Sequence, residues 1–509
     1  MKTQTKANNM TKKIIANTEE FERDSLIAPS GFREYDARWL YPDDLNLNGV
    51  RTLGMGLGTL IHQMGKTPDI VVGHDYRSYS ASIKHALIIG LMSTGMRVHD
   101  VGLALSPMAY FAQFHLDCPS VAMVTASHNE NGWTGVKMGA ERPLTFGPEL
   151  MGQLRDITLA KNFEHKNGGS YQYHPDVKDA YLADLAAGKQ ITRKIKAVVA
   201  CGNGTAGAFA PHVLRAIGVD VIEMDCELDY TFPHYNPNPE DLEMLHALSK
   251  RVKETNADIG FAFDGDGDRC GVVDNTGDEI FADKMGVIIA RDLAAINPNA
   301  QFIADVKSTG LFNTDPILQK LNAKTDYYKT GHSYMKRRTH ELSALAGFEK
   351  SGHYFFGAPI GRGYDDGILT AITICQLLDR AGTQSMSSLK DSLPKTWGSP
   401  TMAPYCPDDK KYQVVEQLSK HIEKLKTNSI KILGLPITDL VTVNGVRFTL
   451  ADGTWGLIRA SSNKPSLVVV VESPHSDEMM RGMFASIESM LADYPEIGEF
   501  DQKLPKAAA

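Results

Sequence analysis

Short apolar segments that end in polar or charged residues recur along most of this chain, and they constrain its fold more than any other feature. There are six of them, at 68–75, 120–127, 196–203, 259–266, 302–307 and 345–350. Longer segments with helical spacing, such as 82–95, lie between them. This alternation predicts α/β units in which helices connect the strands of parallel sheets. Because open α/β sheets bind ligands beyond the carboxyl ends of their strands, the polar strand ends predict several site-forming loops.

Three stretches, the polar one at 164–176, the region around 274–284 and the one at 393–411, divide the chain into four predicted units. The first twenty residues are polar and predict a disordered tail. The predicted domains that follow it are 21–172, 173–284, 285–398 and 399–509. Strand-like runs and a long helix from Asp477 to about residue 493 characterise the last unit. We therefore expect an α/β fold with three similar mixed α/β domains and a smaller C-terminal α+β domain.

Composition argues against several classes of protein. The 509 residues carry a formal net charge of -8 at pH 7, so the overall balance does not attract nucleic acid or an anionic membrane surface. No segment approaches the roughly 18 apolar residues of a membrane span. The six cysteines are scattered without Cys-x-x-Cys spacing, which predicts reduced, mostly buried thiols in a cytoplasmic protein. These features favour small-molecule chemistry.

The segment FAFDGDGDRCG alternates three aspartates with glycines. In an extended loop the carboxylates of Asp264, Asp266 and Asp268 can converge on one hard cation such as Mg²⁺, while the glycines let the backbone fold tightly around it. An EF-hand is excluded, because its sixth and twelfth positions require Gly and Glu but are occupied by Arg269 and Asn275. The alternative is a solvated acidic turn, which is disfavoured because three neighbouring carboxylates repel one another without a cation.

The segment VTASHNE follows a buried apolar run and offers a serine where the chain leaves the predicted strand. Ser127 in that position can expose a nucleophile above a sheet. Taken alone, Ser127 can also be a helix cap whose hydroxyl accepts backbone N–H bonds. The chain contains no P-loop or kinase signature to accompany the metal loop. A phosphate carried covalently by Ser127 would give that metal its partner.

Four motifs in order resemble the α-D-phosphohexomutase family, and within it bacterial phosphomannomutase/phosphoglucomutase most. They are TASHNE, DGDGDR, FEKSGHYFF and RASSNKP, and the resemblance extends from about residue 29 to about residue 494. In the family these segments are the phosphoserine, metal, sugar-reading and phosphate-binding loops. The resemblance implies a heart-shaped molecule of four domains, each of which contributes one loop to a central cleft.

The resemblance also implies which residues carry the chemistry. The implied catalytic residues are Ser127, His128, Lys137, Arg269 and His332. The implied metal ligands are Ser127, Asp264, Asp266 and Asp268. Lys137 or His332 would transfer the proton of the attacking hydroxyl. Two alternatives stay open: Lys137 can be a cation that pairs with phosphate, and His332 can be a purely structural imidazole.

A second group of residues is implied to bind the substrate. Its members are Tyr35, Arg38, Lys307, Glu349, Ser351, His353, Arg459, Ser461, Ser462 and Asn463. Glu349 and Ser351 would accept hydrogen bonds from two adjacent sugar hydroxyls that glucose and mannose share. Lys350 and Asn463 depart from the residues usual in the family, and an ordinary surface turn is the alternative for both loops. The segment HDYRSYS, residues 74–80, is expected to support the first domain.

The implied reaction interconverts hexose 1-phosphate and hexose 6-phosphate, for mannose and/or glucose, through phospho-Ser127 and a hexose 1,6-bisphosphate. Mg²⁺ is the implied cofactor, the bisphosphate is the implied activator, and sugar phosphates are the implied partners of a monomer or weak homodimer. One alternative is a phosphoglucosamine mutase, which FEKSGH disfavours. Another is a sugar phosphohydrolase that uses Ser127 and Mg²⁺. A catalytically silent binding protein is disfavoured by the intact serine and aspartates.

Overall fold

The computed structural model describes residues 15–462 and 464–504, which form four β-sheets in succession. The spatial order of the first sheet is Ala37–Leu40, Trp133–Gly139, Ser120–Val124, Asp69–His74, Arg97–Leu103, Ser170–Tyr173. The order of the second is Glu279–Ile280, Cys270–Asp274, Ile259–Phe263, Lys196–Ala200, Asp220–Met224. The order of the third is Lys324–Tyr328, Gln301–Asp305, Ala346–Phe348, Tyr354–Phe356. The order of the fourth is Trp397–Gly398, Leu467–Ser473, Trp455–Ala460, Val446–Leu450, Ile437–Val441.

Helices connect these strands. The α-helices within the described ranges are Glu19–Glu22, Leu47–Gln63, Ser80–Ser93, Ser106–His115, Pro148–Ala160, Val177–Ala186, Ala210–Ala216, Leu242–Thr255, Ala282–Ile296, Leu311–Thr314, Pro316–Lys320, His332–Glu341, Gly367–Arg380, Met386–Asp391, Lys411–Thr427 and Asp477–Leu491. Short 3₁₀ helices form at Pro29–Gly31 and Thr205–Ala208. In the part of the chain that the structure describes, no helix combines the length and the apolar character needed to cross a bilayer.

The first three sheets repeat one arrangement of four strands. In the first, Asp69–His74 runs parallel to Arg97–Leu103 and to Ser120–Val124, and Trp133–Gly139 pairs antiparallel with Ser120–Val124. The second and third sheets pair their strands in the same way. The loop between the third and fourth strands of this arrangement is therefore equivalent in each domain. Those three loops carry the sequences TASHNE, DGDGDR and EKSGH, so the repeat places the predicted site motifs at matching strand ends.

The fourth domain has a different construction. Its strands are antiparallel throughout, and the helices Lys411–Thr427 and Asp477–Leu491 supply the apolar residues that fill its core. One large apolar cluster runs through the first three domains, whereas a small cluster joins the third domain to the fourth through Val306 and Trp455. The fourth domain is thus attached through a smaller apolar contact than those that join the other three.

The predicted fold class is confirmed: three α/β domains are followed by an α+β domain. The sheets are mixed rather than parallel, because each α/β domain ends its four-strand unit with an antiparallel strand. The polar stretch at 164–176 contains the edge strand Ser170–Tyr173, whose residues are all exposed and so lack an apolar pattern. The helix Glu19–Glu22 overlaps the predicted tail, and residues 1–14 of that tail lie outside the described residues.

Candidate active site

A cavity of about 470 Å³ lies where the four domains meet. The predicted site residues that line it are Tyr35, Arg38, Ser127, His128, Lys137, Arg269, Lys307, His332, Glu349, Ser351, His353, Arg459, Ser461 and Ser462. The predicted metal ligands Asp264, Asp266 and Asp268 lie buried next to it. Asn463 lies outside the described residues. The structure therefore gathers in one place side chains that the sequence spreads over more than 400 positions.

Ser127 stands at the carboxyl end of the strand Ser120–Val124 with a left-handed backbone, φ 52°. Left-handed conformations are uncommon for residues other than glycine, so surrounding contacts must hold this one. The Ser127 N–H donates to Thr125 Oγ1 at 2.8 Å. Its hydroxyl donates to Asp264 Oδ2 at 3.1 Å and lies 3.3 Å from His128 Nδ1. The turn thus aims Ser127 Oγ at the acidic loop of the second domain.

Arg77 and Asp75 hold the Ser127 loop from the segment that follows the neighbouring parallel strand Asp69–His74. The Arg77 guanidinium donates to the carbonyl oxygens of Ser127, Asn129 and Glu130 at 3.1, 2.6 and 3.1 Å. The Asp75 carboxylate accepts from the Thr125 hydroxyl at 2.9 Å and from the Ala126 N–H at 3.1 Å. Both side chains are buried. The segment 74–80 therefore fixes the shape of the serine loop as well as supporting the first domain.

The three aspartates of the acidic loop fit a divalent cation. Asp264, Asp266 and Asp268 are all buried, and one carboxylate oxygen from each lies within 4.8 Å of the others. Asp266 Oδ1 is buried without a hydrogen-bond partner among the described residues. Buried carboxylate oxygens are costly unless a cation or donor satisfies them, and Mg²⁺ prefers such oxygen ligands. The donor set therefore suits Mg²⁺.

Two glycines allow the acidic loop to approach the serine loop. A Cβ on Gly265 would lie 2.5 Å from the carbonyl oxygen of Ser127. Gly267 has φ +73°, and a Cβ there would lie 2.8 Å from the Leu105 side chain. Larger residues would push the two loops apart or strain the backbone. The alternation of aspartate and glycine in DGDGD is thus required by the close approach of two domains.

Lys137 lies against the carboxylates of the acidic loop. Its Nζ is 2.7 Å from Asp266 Oδ2 and 2.5 Å from Asp268 Oδ2, and it donates to Ser106 Oγ at 3.1 Å. Burial alone would lower the pKa of Lys137, but the two carboxylates outweigh it and hold the pKa well above its ordinary value. In this arrangement Lys137 is an ammonium group. The structure thus shows it as a cation that pairs with carboxylates.

Two carboxyl groups of the acidic loop, those of Asp264 and Asp268, have pKa values shifted in opposite directions. Burial raises the pKa of Asp264 well above its ordinary value, and Asp268 and Asp266 raise it further. Burial would also raise the pKa of Asp268, but Lys137 and His353 outweigh it and hold that pKa well below its ordinary value. Of Asp264 and Asp268, Asp264 is therefore the carboxylate that neighbouring cations stabilise less. Asp264 is also the acceptor of the Ser127 hydroxyl.

The EKSGH loop of the third domain joins the DGDGDR loop of the second domain through His353. The His353 ring lies between Glu349 and Asp268, with Nδ1 3.2 Å from Glu349 Oε2 and Nε2 3.3 Å from Asp268 Oδ1. Burial and Arg269 lower the pKa of His353, but the two carboxylates outweigh them and raise it to about 9. Ser351 Oγ lies 3.1 Å from His353 Nδ1. This imidazolium fixes the two loops relative to each other.

Lys350 does not face the cavity. Its Nζ lies 3.5 Å from the Ser399 carbonyl oxygen and 4.0 Å from Asp283 Oδ2, at the junction of the third and fourth domains. Glu349 and Ser351 on either side of it do line the cavity. Lys350 stands in a turn closed by the hydrogen bond from the Gly352 N–H to the Glu349 carbonyl oxygen, at 3.1 Å. The departure from the usual family residue at Lys350 therefore leaves the cavity lining unchanged.

Residues from the first and fourth domains close the cavity. The Tyr35 ring packs edge-on against the His332 ring, with centroids 4.9 Å apart. Arg38 donates to the Ala126 carbonyl oxygen at 3.4 Å and so contacts the serine loop. Arg459 is buried, donates to the Ala460 carbonyl oxygen at 2.9 Å, and leaves its Nε without a partner among the described residues. A guanidinium whose Nε–H donor has no partner among the described residues is suited to binding an anionic group such as phosphate.

Several cavity residues were not predicted from the sequence. Those that line it are Arg33, Trp133, Glu240, Thr330, Gly331, Thr401 and Lys464. Glu240 pairs with Arg269 at 3.2 Å and limits where that guanidinium can reach. It lies in a polar loop with no motif, so only its negative charge near a predicted basic site would have indicated it. Lys336, one helical turn after His332, is also part of this region and is signalled by the i,i+4 spacing.

Four family models match the chain in order. They are described as phosphoglucomutase/phosphomannomutase alpha/beta/alpha domains I, II and III and the C-terminal domain, and they match residues 29–165, 179–277, 281–397 and 406–489. A phosphomannomutase/phosphoglucomutase from Pseudomonas putida is 33% identical over 462 residues, 90% of this chain and 94% of the relative. A phosphoglucomutase from Neisseria gonorrhoeae is 31% identical over 87% of this chain and 92% of its own length.

Solved structures show the same architecture. A phosphoglucomutase/phosphomannomutase family protein from Burkholderia thailandensis superposes with a TM-score of 0.82 at 30% identity, over 93% of this chain and 99% of that one. Parafusin, a phosphoglucomutase from Paramecium, shares the fold with a TM-score of 0.66 at 15% identity. These matches confirm the family and the four-domain fold class predicted from the motifs. The chain belongs to the phosphoglucomutase/phosphomannomutase family of α-D-phosphohexomutases.

Proposed function

We propose that this protein is a phosphohexomutase that interconverts the 1-phosphate and the 6-phosphate of a hexose, mannose and/or glucose, through phospho-Ser127. The observation that carries the proposal is the hydrogen bond of 3.1 Å between Ser127 Oγ and Asp264, inside a cavity that also holds the sugar-reading loop and Arg459. The cavity thus combines three proposed elements: a nucleophile at a metal site, a sugar-binding loop and a phosphate-binding loop. That combination suits the transfer of phosphate between two ends of one sugar.

The transfer begins with serine already phosphorylated. A free hydroxyl of the sugar phosphate attacks the phosphorus on Ser127, the bond between phosphorus and Ser127 Oγ breaks, and a hexose 1,6-bisphosphate forms. Lys137 and His332 are the candidates for handling the proton of the attacking hydroxyl. The bisphosphate then turns over, and its other phosphate is returned to Ser127. His128, Arg38 and Arg269 line the side of the cavity next to Ser127 and would steady the phosphoryl group there.

The opposite side of the cavity binds the end of the sugar that does not react. Arg459, Ser461 and Ser462 supply donors for its phosphate, and Asn463 and Lys307 complete this predicted set. Glu349 and Ser351 accept from two sugar hydroxyls and orient the ring, while Tyr35 covers it. Bound Mg²⁺, held by Asp264, Asp266, Asp268 and the phosphoserine, would neutralise charge on the phosphoryl group.

The wider setting of the enzyme is part of the proposal. The bisphosphate would act as an activator, because it can rephosphorylate a Ser127 that has lost its phosphate. All four domains of the chain contribute lining residues to the cavity, and a monomer or weak homodimer is the proposed working unit. The six cysteines are buried free thiols, which supports a reducing compartment such as the cytoplasm. Sugar phosphates are the proposed partners, and the net negative charge argues against nucleic acid.

A coupled assay tests the proposal. Purified protein is given mannose 1-phosphate, glucose 1-phosphate or glucosamine 1-phosphate with Mg²⁺, with and without the matching 1,6-bisphosphate. Formation of the 6-phosphate of mannose or glucose, stimulated by bisphosphate, is the expected result. Release of inorganic phosphate faster than isomer formation would identify a phosphohydrolase instead, and preference for glucosamine 1-phosphate would identify the other mutase.

Substitution of Ser127 gives a second test, for which Ser93 provides the matched control. Ser127→Ala should lose at least about 1000-fold in turnover, because covalent phosphoryl transfer is removed. Ser93→Ala, at an exposed helical serine of the same domain, should keep native turnover. Mass spectrometry after bisphosphate treatment should find phosphate on the peptide that contains Ser127. Native turnover by Ser127→Ala would refute the proposal.

A further inference from the structure

A fully buried lysine lies directly behind His332. His332 is the first residue of the helix His332–Glu341, and Lys336 follows it by one turn. Lys336 Nζ lies 3.3 Å from His332 Nδ1, 2.9 Å from Asp365 Oδ1 and 3.9 Å from the centroid of the Tyr110 ring. Lys336 is 0% exposed and does not line the cavity. It can therefore affect the substrate only through its neighbours.

Two neighbours of Lys336 favour an ammonium group, although its pKa is lowered overall. Burial lowers the pKa of Lys336, and the carboxylate of Asp365 acts against that change. The face of the Tyr110 ring also attracts a cation. An ammonium group has hydrogens to donate and no lone pair with which to accept. As an ammonium group Lys336 donates to His332 Nδ1 at 3.3 Å, and a neutral His332 then carries its ring proton on Nε2.

His332 is kept neutral by its position. It begins a helix, where the partial positive charge of the helix N-terminus disfavours a second cation. Burial lowers the pKa of His332 well below its ordinary value, and Lys336 and Lys137 lower it further. The titratable and charged groups that face His332 are Lys336, Lys137, His353, Asp268 and Tyr35. Three of these are cations, so the neutral imidazole is the stable form.

The other ring nitrogen, Nε2, is buried in a residue of the cavity wall. His332 lines the cavity, and its Nε2 is buried without a hydrogen-bond partner among the described residues. The Tyr35 ring packs edge-on at 4.9 Å and prevents the imidazole from turning away. An N–H held there without a partner leaves a donor unsatisfied until a ligand enters. A neutral imidazole at a helix N-terminus can polarise an oxygen in this way without carrying a charge.

We propose that Lys336 is a positioning residue that fixes the tautomer of His332, so that His332 Nε2–H donates a hydrogen bond to an oxygen of the bound sugar phosphate. In this tautomer His332 meets the bound ligand as a hydrogen-bond donor. This inference rests on the proposed function for the identity of the ligand. The tautomer itself is a property of the free protein, so it can be measured without any substrate.

The test is ¹H–¹⁵N NMR of the protein labelled at histidine, with the His332 signals assigned by their absence in His332→Asn. The native protein should show the proton on Nε2. Lys336→Met combined with Asp365→Asn removes the donor while leaving no buried carboxylate unpaired. This double variant should lose the preference for Nε2–H. Asp365→Asn alone should keep it, and Lys336→Arg should restore it because arginine also donates without accepting.

Kinetics supply the second readout. The double variant should lose about tenfold in kcat/KM, as expected when one donor to the reacting molecule is misplaced, and Lys336→Arg should recover most of that loss. A proton on Nδ1 in the native protein, or an unchanged Nε2–H tautomer in the double variant, would overturn the inference. Absence of any mutase activity in the native protein would refute the proposed function and leave the tautomer measurement standing. If the double variant fails to fold, the native spectrum still decides.

Discussion

Ser127 Oγ lies 3.1 Å from Asp264 Oδ2, although the two residues are 137 positions apart in the chain. They stand on equivalent loops of the first and second domains, each between the third and fourth strands of the repeated four-strand arrangement. Ser106 strengthens the junction, since its N–H and hydroxyl both donate to Asp266. The proposed nucleophile and the proposed metal ligands are thus aligned by the packing of two domains against each other.

This alignment predicts that activity depends on the acidic loop as well as on the serine. Chelation should abolish turnover and added Mg²⁺ should restore it. Asp266→Asn should raise the Mg²⁺ concentration for half-maximal activity by at least about tenfold, because it removes one charged ligand. Titrating Mg²⁺ in the isomerase assay measures the effect. Asp278→Asn, at an exposed carboxylate of the same domain, is the control, and an unchanged Mg²⁺ requirement in Asp266→Asn would contradict the assignment.

Arg77 should matter for catalysis although it does not line the cavity. Its guanidinium holds three carbonyl oxygens of the serine loop, and a lysine cannot reproduce that fork of donors. Arg77→Lys should lower kcat by about tenfold to a hundredfold, since a shift of the serine loop misplaces the nucleophile. Steady-state kinetics and thermal unfolding measure both consequences. Arg97→Lys, at an exposed ion pair with Asp69, should change neither, and equal kinetics for the two variants would count against the role of Arg77.

Much of the site could be predicted because its chemistry is local in the sequence. The aspartates of DGDGDR are adjacent in the chain and need no tertiary information to suggest a cation, and the strand before Ser127 is apolar enough to mark its end. The fold class followed from the same strand ends, because polar residues recur after each buried run. Hydrophobic periodicity and turn chemistry carry this information directly.

The remaining features depend on tertiary contacts that no local pattern encodes. Arg77 reaches the serine loop only because the strand before it, Asp69–His74, pairs with Ser120–Val124 in a particular register. Lys350 belongs to the sugar-reading motif by sequence, yet its side chain leaves the cavity. The edge strand Ser170–Tyr173 has four exposed residues and so shows no apolar alternation. Strand register, side-chain orientation and exposure decide these three cases, and residue type alone does not determine them.

Glu472 should make stability depend on pH at the junction of the third and fourth domains. Its carboxylate accepts from Lys284 at 2.9 Å and from the Gly310 N–H at 2.8 Å, among other donors. Although burial opposes ionisation, Lys284 and these donors lower the pKa of Glu472 from its ordinary 4.5 to about 2. A lowered folded-state pKa stabilises the protein fully above pH 4.5, and that contribution disappears as the pH falls toward 2.

The shift corresponds to about 3 kcal/mol of stability at neutral pH. Urea unfolding at pH 7 and pH 3, followed by tryptophan fluorescence, should therefore show a larger loss for the native protein than for Glu472→Gln, which has no carboxylate to protonate. Glu423→Gln, at an exposed position of the helix Lys411–Thr427, should behave as the native protein does. Parallel losses in the native protein and Glu472→Gln would show that Glu472 is not responsible.

Sugar preference should be insensitive to Lys350 and sensitive to Glu349. Lys350 Nζ contacts the Ser399 carbonyl oxygen at 3.5 Å outside the cavity, whereas Glu349 is buried and lines it. Lys350→Met should change kcat/KM for glucose 1-phosphate and mannose 1-phosphate by less than about twofold, as for surface substitutions remote from a site. Glu349→Gln should lower both values by about a hundredfold, because a charged acceptor for sugar hydroxyls is replaced by a neutral amide. Measuring both variants on both sugars separates the two side chains, and a changed ratio between the sugars in Lys350→Met would mean that the loop turns Lys350 toward the substrate.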